Sequence, residues 1–435
     1  MGIGLWNRPL AYLERLRRRY GTPFTIRFPG APPFVAITDP DQVKELFRAP
    51  PDVLHPGEGA RVLEPVVGLN SVILLDEDPH LEQRKLLLPA MHGEKMARLT
   101  GLIEDVTARE IASWPRDSAT ALHPRFQRLT LEVILRAVFG LDEGDRLDAL
   151  RTRLERQLAF GDKPISLVPP PPESRLRSLL ENHGPFAPFA RMQQESDELL
   201  YELIEERRGD HEGREDILST LLEARHEDGS PMSAEEIRDE LMTMLVAGHE
   251  TTATTLAWCF EALSRHPHVV ERLREEIEAG DGDDYLTAVI HETMRRRPVL
   301  PNAEPRFVKK PFELGGRTYP PGVALIANVY LVHHDPEIYP QPYAFRPERF
   351  LEEPPGTYTF IGFGGGRRRC LGASFAMVEM KIVIRALLES CEIESVGGAP
   401  ERPKRRNITI KPANGARVML RGRVREPVAP AAAAA

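Results

Sequence analysis

A capping box formed by Ser233 and Glu236 opens an apolar pattern that runs to about Ser264. At 1.5 Å per residue, a helix of about 31 residues is a rod of about 46 Å. A rod of that length must cross the whole body of a compact domain, so the rest of the chain has to pack around it. From Asp39 to about Arg297, leucines and alanines recur at spacings of three and four, which predicts an overwhelmingly helical stretch. A basic amphipathic helix is predicted near Pro9–Tyr20, followed by short strand-like runs at Phe24–Phe28 and Phe34–Ile37. The Pro169–Pro172 run predicts a surface loop. Short strands are expected between Pro305 and Val329, then an irregular proline-rich segment, a helix at Ala373–Ser390 and a final set of short strands. The expected fold class is therefore mainly α with small β-sheets (α+β), built about one long central helix. A length of 435 residues suggests about three domains. No low-complexity linker or internal repeat divides the chain, so one domain over residues 1–425 is expected. The Pro/Ala tail, 426–435, reads as a disordered end.

Composition narrows the function classes. With 41% hydrophobic and 28% charged residues, the chain can bury a large core. A net charge of -8 argues against a general nucleic-acid binder. Cys259, Cys370 and Cys391 are too few for a disulfide framework and match no zinc spacing, which favours a reducing compartment. No apolar run is long enough for a membrane span. The opening MGIGLWNRPL is too short for a secretory signal and has Trp6 where myristoylation wants Ser or Thr. A cytoplasmic location is expected.

The densest chemical signal is Phe363-Gly-Gly-Gly-Arg-Arg-Arg-Cys370-Leu-Gly372, directly before a helix. Arg367, Arg368 and Arg369, together with the helix N-terminus, favour the thiolate of Cys370. Gly364, Gly365, Gly366 and Gly372 let backbone approach something flat or bulky. The residues alone read as a thiolate offered as a metal ligand or a nucleophile. A P-loop would need Lys and Ser or Thr after the glycines, and a dinucleotide fingerprint would need glycine at Arg367 or Arg369. An inert buried cysteine is the bland alternative, and four glycines and three arginines in ten residues weigh against it.

The segment resembles the cysteine-ligand loop of the cytochrome P-450 superfamily, with Phe363, Gly366, Arg368, Cys370 and Gly372 at the fixed positions. That resemblance implies heme b (iron protoporphyrin IX) held by the Cys370 thiolate, whose electron donation favours O–O cleavage, beneath a long central helix. Glu292-Thr-Met-Arg295 resembles the family's Glu-x-x-Arg motif, and Pro347-Glu-Arg349-Phe350 the segment whose arginine completes its ion network. By the resemblance Glu292, Arg295 and Arg349 are structural; alone, Glu292 and Arg295 would read as a solvated pair. His80 and Arg84 resemble the propionate-binding pair, with His in place of the commoner Trp. Arg306 and Arg368 are further propionate candidates, since guanidinium offers fixed bidentate donors. One departure is Gly362, where many members place proline.

Ala247-Gly-His-Glu-Thr-Thr252 lies in the middle of the long helix, where glycine and β-branched residues are poor choices. A Thr251 hydroxyl there can bond back to the Ala247 carbonyl and loosen the turn. The run resembles the family's oxygen-activation motif, which gives Thr251 a hydrogen-bonding role and Glu250 a proton-feeding one. Packing against a neighbouring helix is the competing explanation. His249-Glu250 and His291-Glu292 begin like zinc-protease helices, but Ala253 and Arg295 stand where the second histidine is needed.

The resemblance implies a monooxygenase that hydroxylates or otherwise oxidises an apolar small molecule, of fatty-acid, terpenoid, steroid or polyketide class, with O2. Met244, Ala247, Val299, Leu300 and the Pro50–Asp78 region are the expected pocket walls. Three cysteines cannot hold an iron–sulfur cluster beside heme, so electrons should come from a separate ferredoxin or flavodoxin with its reductase. Arg367, Arg369 and Lys85 offer a docking charge near Cys370. A peroxide-driven or oxygen-independent heme-thiolate enzyme usually lacks the acid–Thr pair, and a heme-based sensor would carry an output domain.

Overall fold

The computed structural model describes residues 8–28, 31–91, 94–141, 144–163, 183–184, 186–210, 213–214 and 216–422, with single residues 166 and 174. Twelve helices of seven residues or more carry the architecture among these. They are α1 (Pro9–Tyr20), α2 (Pro40–Arg48), α3 (Glu77–Leu87), α4 (Glu94–Ala112), α5 (Leu122–Ala137), α6 (Asp145–Leu158), α7 (Ala187–Arg208), α8 (Ile217–Glu223), α9 (Ala234–Leu263), α10 (Pro267–Ala279), α11 (Asp284–Arg296) and α12 (Ala373–Ser390). The Ser233 side chain accepts from the Glu236 N–H while Glu236 reaches back to the Ser233 N–H, so α9 starts where its capping box predicts.

Four small sheets surround the helices. The largest runs β1 (Phe24–Ile26), β2 (Phe34–Ile37), β8 (Ala324–Ala327), β5 (Arg306–Val308), β3 (Leu54–His55) in that order. Its β2–β8 pair is parallel, with Phe34 opposite Ala324; its other pairs are antiparallel. A second sheet joins β4 (Ser118–Ala121), β12 (Arg417–Gly422) and β9 (Cys391–Ser395). Two hairpins complete the set, β6–β7 (Phe312–Leu314, Arg317–Tyr319) and β10–β11 (Pro403–Arg406, Thr409–Pro412).

β3 and β4 interrupt the stretch that periodicity reads as helical. Each is extended because a distant partner pairs with it, Val308 opposite Leu54 and Met419 opposite Ala119, and such pairing overrides local preference. β1 ends at Ile26, short of the expected Phe28. The Pro169–Pro172 run and the 426–435 tail lie outside the described residues.

The core is organised on α9. Gly248 lets α5 come close: a Cβ there would stand 2.8 Å from Ile134 Cδ1. Phe126 on α5 stacks on Phe260 of α9 at 5.5 Å between centroids. Trp258, fully buried, donates its indole N–H to the Ile410 carbonyl at 3.0 Å, tying α9 to β11.

Candidate active site

The Cys370 loop is held from both sides. Gly364 and Gly366 adopt φ of +69° and +65°, conformations only glycine takes without strain. A Cβ on Gly366 would stand 2.3 Å from the Phe47 carbonyl of α2, so the loop lies flat on that helix. The Cys370 N–H donates back to the Phe363 carbonyl at 2.9 Å. Gly372 caps α12, and a Cβ there would meet nothing within 4 Å. Phe363 packs against the core cluster containing Ala253 and Met294, and Leu371 against the cluster containing Met244 and Leu245. Cys370 is exposed as a residue, whereas Cys259 and Cys391 are buried. In the chain by itself, the surrounding protein pushes the thiol above its ordinary value; the Gly372 N–H, Arg84 and Arg369 pull the other way. Burial thus outweighs the cations that sequence reasoning relied on.

The expected cations gather beside this loop. Burial first, then the charges of Arg368, Arg84, Arg306 and Arg367, push His80 down to about 3, so it is neutral. Arg84 donates to the Arg369 carbonyl at 2.8 Å. Arg368 is committed to the chain itself: it pairs with Asp76 at 2.9 Å and donates to the carbonyls of Val72, Ile73 and Leu75. Its guanidinium stitches the 72–76 segment to the cysteine loop. Arg306 differs. It is buried on β5, lies over the Phe47 ring at 5.0 Å, and its Nε has no hydrogen-bond partner among the described residues. Burial lowers this guanidinium to about 10 against the opposing charges of Glu304 and Asp76, so a further anion beside it would offset a real cost. Glu304, which sequence reasoning missed, lies within the field of Arg368, Arg306 and Arg84; burial raises its carboxyl and those cations oppose the rise.

This arrangement suits heme. Cys370 is an exposed residue on a glycine loop, as a sulfur ligand for iron would need, and Ala247 stays exposed in the middle of the mostly buried α9. Met244 and Val299 are buried and Leu300 is 37% exposed. Arg306 and Arg84 are the cations here that could donate to anionic propionates.

Glu250 and Thr251 point their polar atoms to different partners. Thr251 Oγ1 donates to the Ala247 carbonyl at 2.5 Å, the bond its sequence position suggests. Glu250 Oε2 accepts from Gln127 Nε2 at 2.8 Å and from Arg406 of β10, while Oε1 accepts from Thr254 Oγ1 at 3.1 Å with His123 Nε2 at 3.5 Å. Burial raises this carboxyl, but the His123 contact and the Arg406 charge prevail and bring it down to about 2. Arg406 also reaches Asp162 at 3.4 Å. Nothing in the spacing of the sequence announces Arg406, Gln127 or His123 as partners of Glu250. Gly248 is accounted for by packing against α5, the competing explanation for that glycine. His249 is buried, bonded through Nδ1 to Thr130 at 2.9 Å, and lowered to about 4 by burial.

Glu292, Arg295 and Arg349 meet in the interior. Arg295 Nε and Nη2 hold the two Glu292 oxygens at 2.7 and 2.9 Å, and Arg349 Nε lies 3.1 Å from Glu292 Oε2. Arg295 also donates to the carbonyls of His333, Pro342 and Ala344. The His333 ring accepts the Ile361 N–H at 3.0 Å and stacks on Phe360, which carries the network to the foot of the cysteine loop. Its only sequence signal is a bland His-His pair. Lys85 is bound to Glu227 at 2.8 Å, whereas Arg367 and Arg369 are exposed.

Comparison with known proteins follows the same lines. The family profile described as Cytochrome P450 matches residues 1–419. The Mycobacterium tuberculosis protein called cytochrome P450 135B1 is 39% identical over 420 residues, spanning 95% of this chain and 87% of that one. Cytochrome P450 138 of Mycobacterium bovis is 38% identical over 416 residues, 94% and 91% of the two chains. Among solved structures, retinoic acid bound cyanobacterial CYP120A1 superposes with a TM-score of 0.81 at 23% identity, covering 94% of this chain and 93% of that one.

Proposed function

The chain belongs to the cytochrome P450 family of heme-thiolate monooxygenases, and from that premise we propose that it oxidises an apolar small molecule with Cys370 as the iron's sulfur ligand. The substrate class is fatty acid, terpenoid, steroid or polyketide, because the residues expected to wall the pocket, Met244, Ala247, Val299 and Leu300, are aliphatic. Residues 1–425 act as one domain in the cytoplasm. The observation that carries the reading is the buried Arg306 guanidinium, whose Nε has no hydrogen-bond partner among the described residues, in the group of cations around the exposed Cys370 loop.

When bound, heme activates O2 with two electrons and two protons for insertion of one oxygen atom into a C–H bond. The chain's own residues divide the remaining work. Arg306 and Arg84 bind the propionates, with neutral His80 as a further donor. Arg368 fixes the 72–76 segment against the loop that carries the ligand. Met244, Val299 and Leu300 exclude water and orient the substrate's apolar body. Thr251 would hold a proton at its hydroxyl, now bonded to the Ala247 carbonyl, and Glu250 would supply protons to it once its contact with Arg406 opens. Arg367 and Arg369 meet an acidic ferredoxin or flavodoxin; Lys85, held by Glu227, contributes less.

The decisive experiment is the spectrum of the reduced, carbon-monoxide-treated protein. A red-displaced Soret band that disappears in Cys370→Ser supports the assignment; a protein without heme, or with the same band in the variant, refutes it. Spectral titration with a panel of lipids and terpenoids then tests the substrate class.

A further inference from the structure

The helix α1 has two unlike sides. Leu10, Leu13 and Leu16 pack inward with Phe24, Tyr330 and Leu331. Outward, Arg8, Ala11, Arg15 and Arg18 form one exposed stripe at spacings of three and four, with Arg19 beside it. Its one acid, Glu14, is buried, paired with Arg17 at 2.8 Å and bonded by the Tyr343 hydroxyl. Arg27 beyond β1, and Arg402 and Lys404 at the hairpin strand β10 that packs on α1, are also exposed. Arg8, Arg15, Arg18, Arg27, Arg402 and Lys404 make no side-chain hydrogen bond or ion pair among the described residues, and Arg19 only covers the Tyr20 ring. Between positions 8 and 27 there are six arginines and one glutamate, in a chain whose net charge is -8. Tyr20, 60% exposed, ends the helix beside Arg19.

We propose that this face of α1 is a docking surface for anionic lipid headgroups, by which the protein rests on a membrane without entering it. A local excess of unpaired arginine on an acidic protein has a fixed orientation in a negative surface potential. The exposed Tyr20 suits the headgroup level, where tyrosine rings are enriched. The leucines of α1 are used by the core, so attachment is electrostatic and peripheral, not an insertion. An acidic protein partner is the less suited occupant: α1 packs on β1, β10 and the turn at Val329–His333, not on the cysteine loop that an electron donor must approach. The proposal stands independently of the substrate.

The test uses the whole heme-loaded protein with phosphatidylcholine vesicles and with vesicles that also carry phosphatidylglycerol. Co-sedimentation is expected with the second kind only, and it should vanish in high salt as screening shortens the reach of the charges. Replacing Arg15, Arg18 and Arg19 together by Gln should weaken that partition about a hundredfold, with the heme spectrum unchanged because these side chains hold nothing else in place. Tyr20→Ser should weaken it further without altering its salt dependence. Equal sedimentation with both vesicle kinds, none with either, or a triple variant that sediments like the parent overturns the proposal. Capture by an acidic protein with no vesicle binding does so as well.

Discussion

At the scale of single residues, the contact between Glu250 and Arg406 has the largest consequence. A carboxyl lowered to about 2 from an ordinary 4.5 contributes stability that is fully present above pH 4.5 and lost as pH falls through about 2. Removing Arg406 leaves that buried charge without its main cation. Arg406→Ala should therefore cost about 3 kcal/mol in denaturant unfolding, and adding Glu250→Gln should recover much of the loss. Additive losses in the double variant would show that the pair is not coupled. Thr251→Ala, by contrast, should leave stability almost unchanged while electrons are consumed without matching product. Measuring product against reductant consumed checks it, and full coupling in the variant would remove Thr251 from proton delivery. Thr251, Glu250 and Cys370 were legible because each breaks a local rule or sits in an unusual composition. Arg406 and His123 were not, since their meaning comes from tertiary contact with α9 across long stretches of chain.

At the scale of elements, the helices were the readable part. The boundaries of α1, α9 and α12 follow from caps, apolar spacing and flanking breakers, all of them local. The strands β3 and β4 were unreadable because each is created by its partner. The same distinction applies to the cysteine loop: its glycines announced an approach, but not that Gly366 rests on the Phe47 carbonyl. Gly366→Ala combines that 2.3 Å overlap with φ of +65°, and it should loosen the loop on α2. Faster heme transfer to an acceptor apoprotein is the expected readout; an unchanged rate would mean the loop has room to shift. Glu292→Ala acts through a different element. It strips Arg295 and Arg349 of their shared carboxylate, at a cost of about 3–5 kcal/mol, seen as loss of folded holoprotein on expression or in melting.

At the scale of the whole molecule, two buried carboxyls set how the protein responds to alkali. Glu379 on α12 has no hydrogen-bond partner for either oxygen among the described residues, and burial raises it to about 8. Glu240 on α9 accepts the Val72 N–H at 2.7 Å, yet burial also raises it to about 8. The unfolded chain releases these protons near pH 4.5, while the native state keeps them until about 8. Stability should accordingly fall across that interval as pH rises. Glu379→Gln removes one contribution, so its melting temperature should overtake the parent's towards pH 8 and converge with it near pH 4.5. Parallel melting curves at every pH would place the titration elsewhere. Charge is unevenly distributed on the same scale, with Arg367 and Arg369 exposed at the cysteine loop. Reversing both should slow reduction by a ferredoxin or flavodoxin, checked by stopped-flow.

The parallel alignment of Phe34 with Ala324 places the opening and the closing thirds of the chain side by side in one sheet. During synthesis, β2 leaves the ribosome long before its parallel neighbour β8 exists, and Arg306 on β5 belongs to the same late arrival. Heme capture is consequently a near-terminal event in biogenesis, and a prematurely terminated polypeptide has half a cradle and an open, adhesive strand edge.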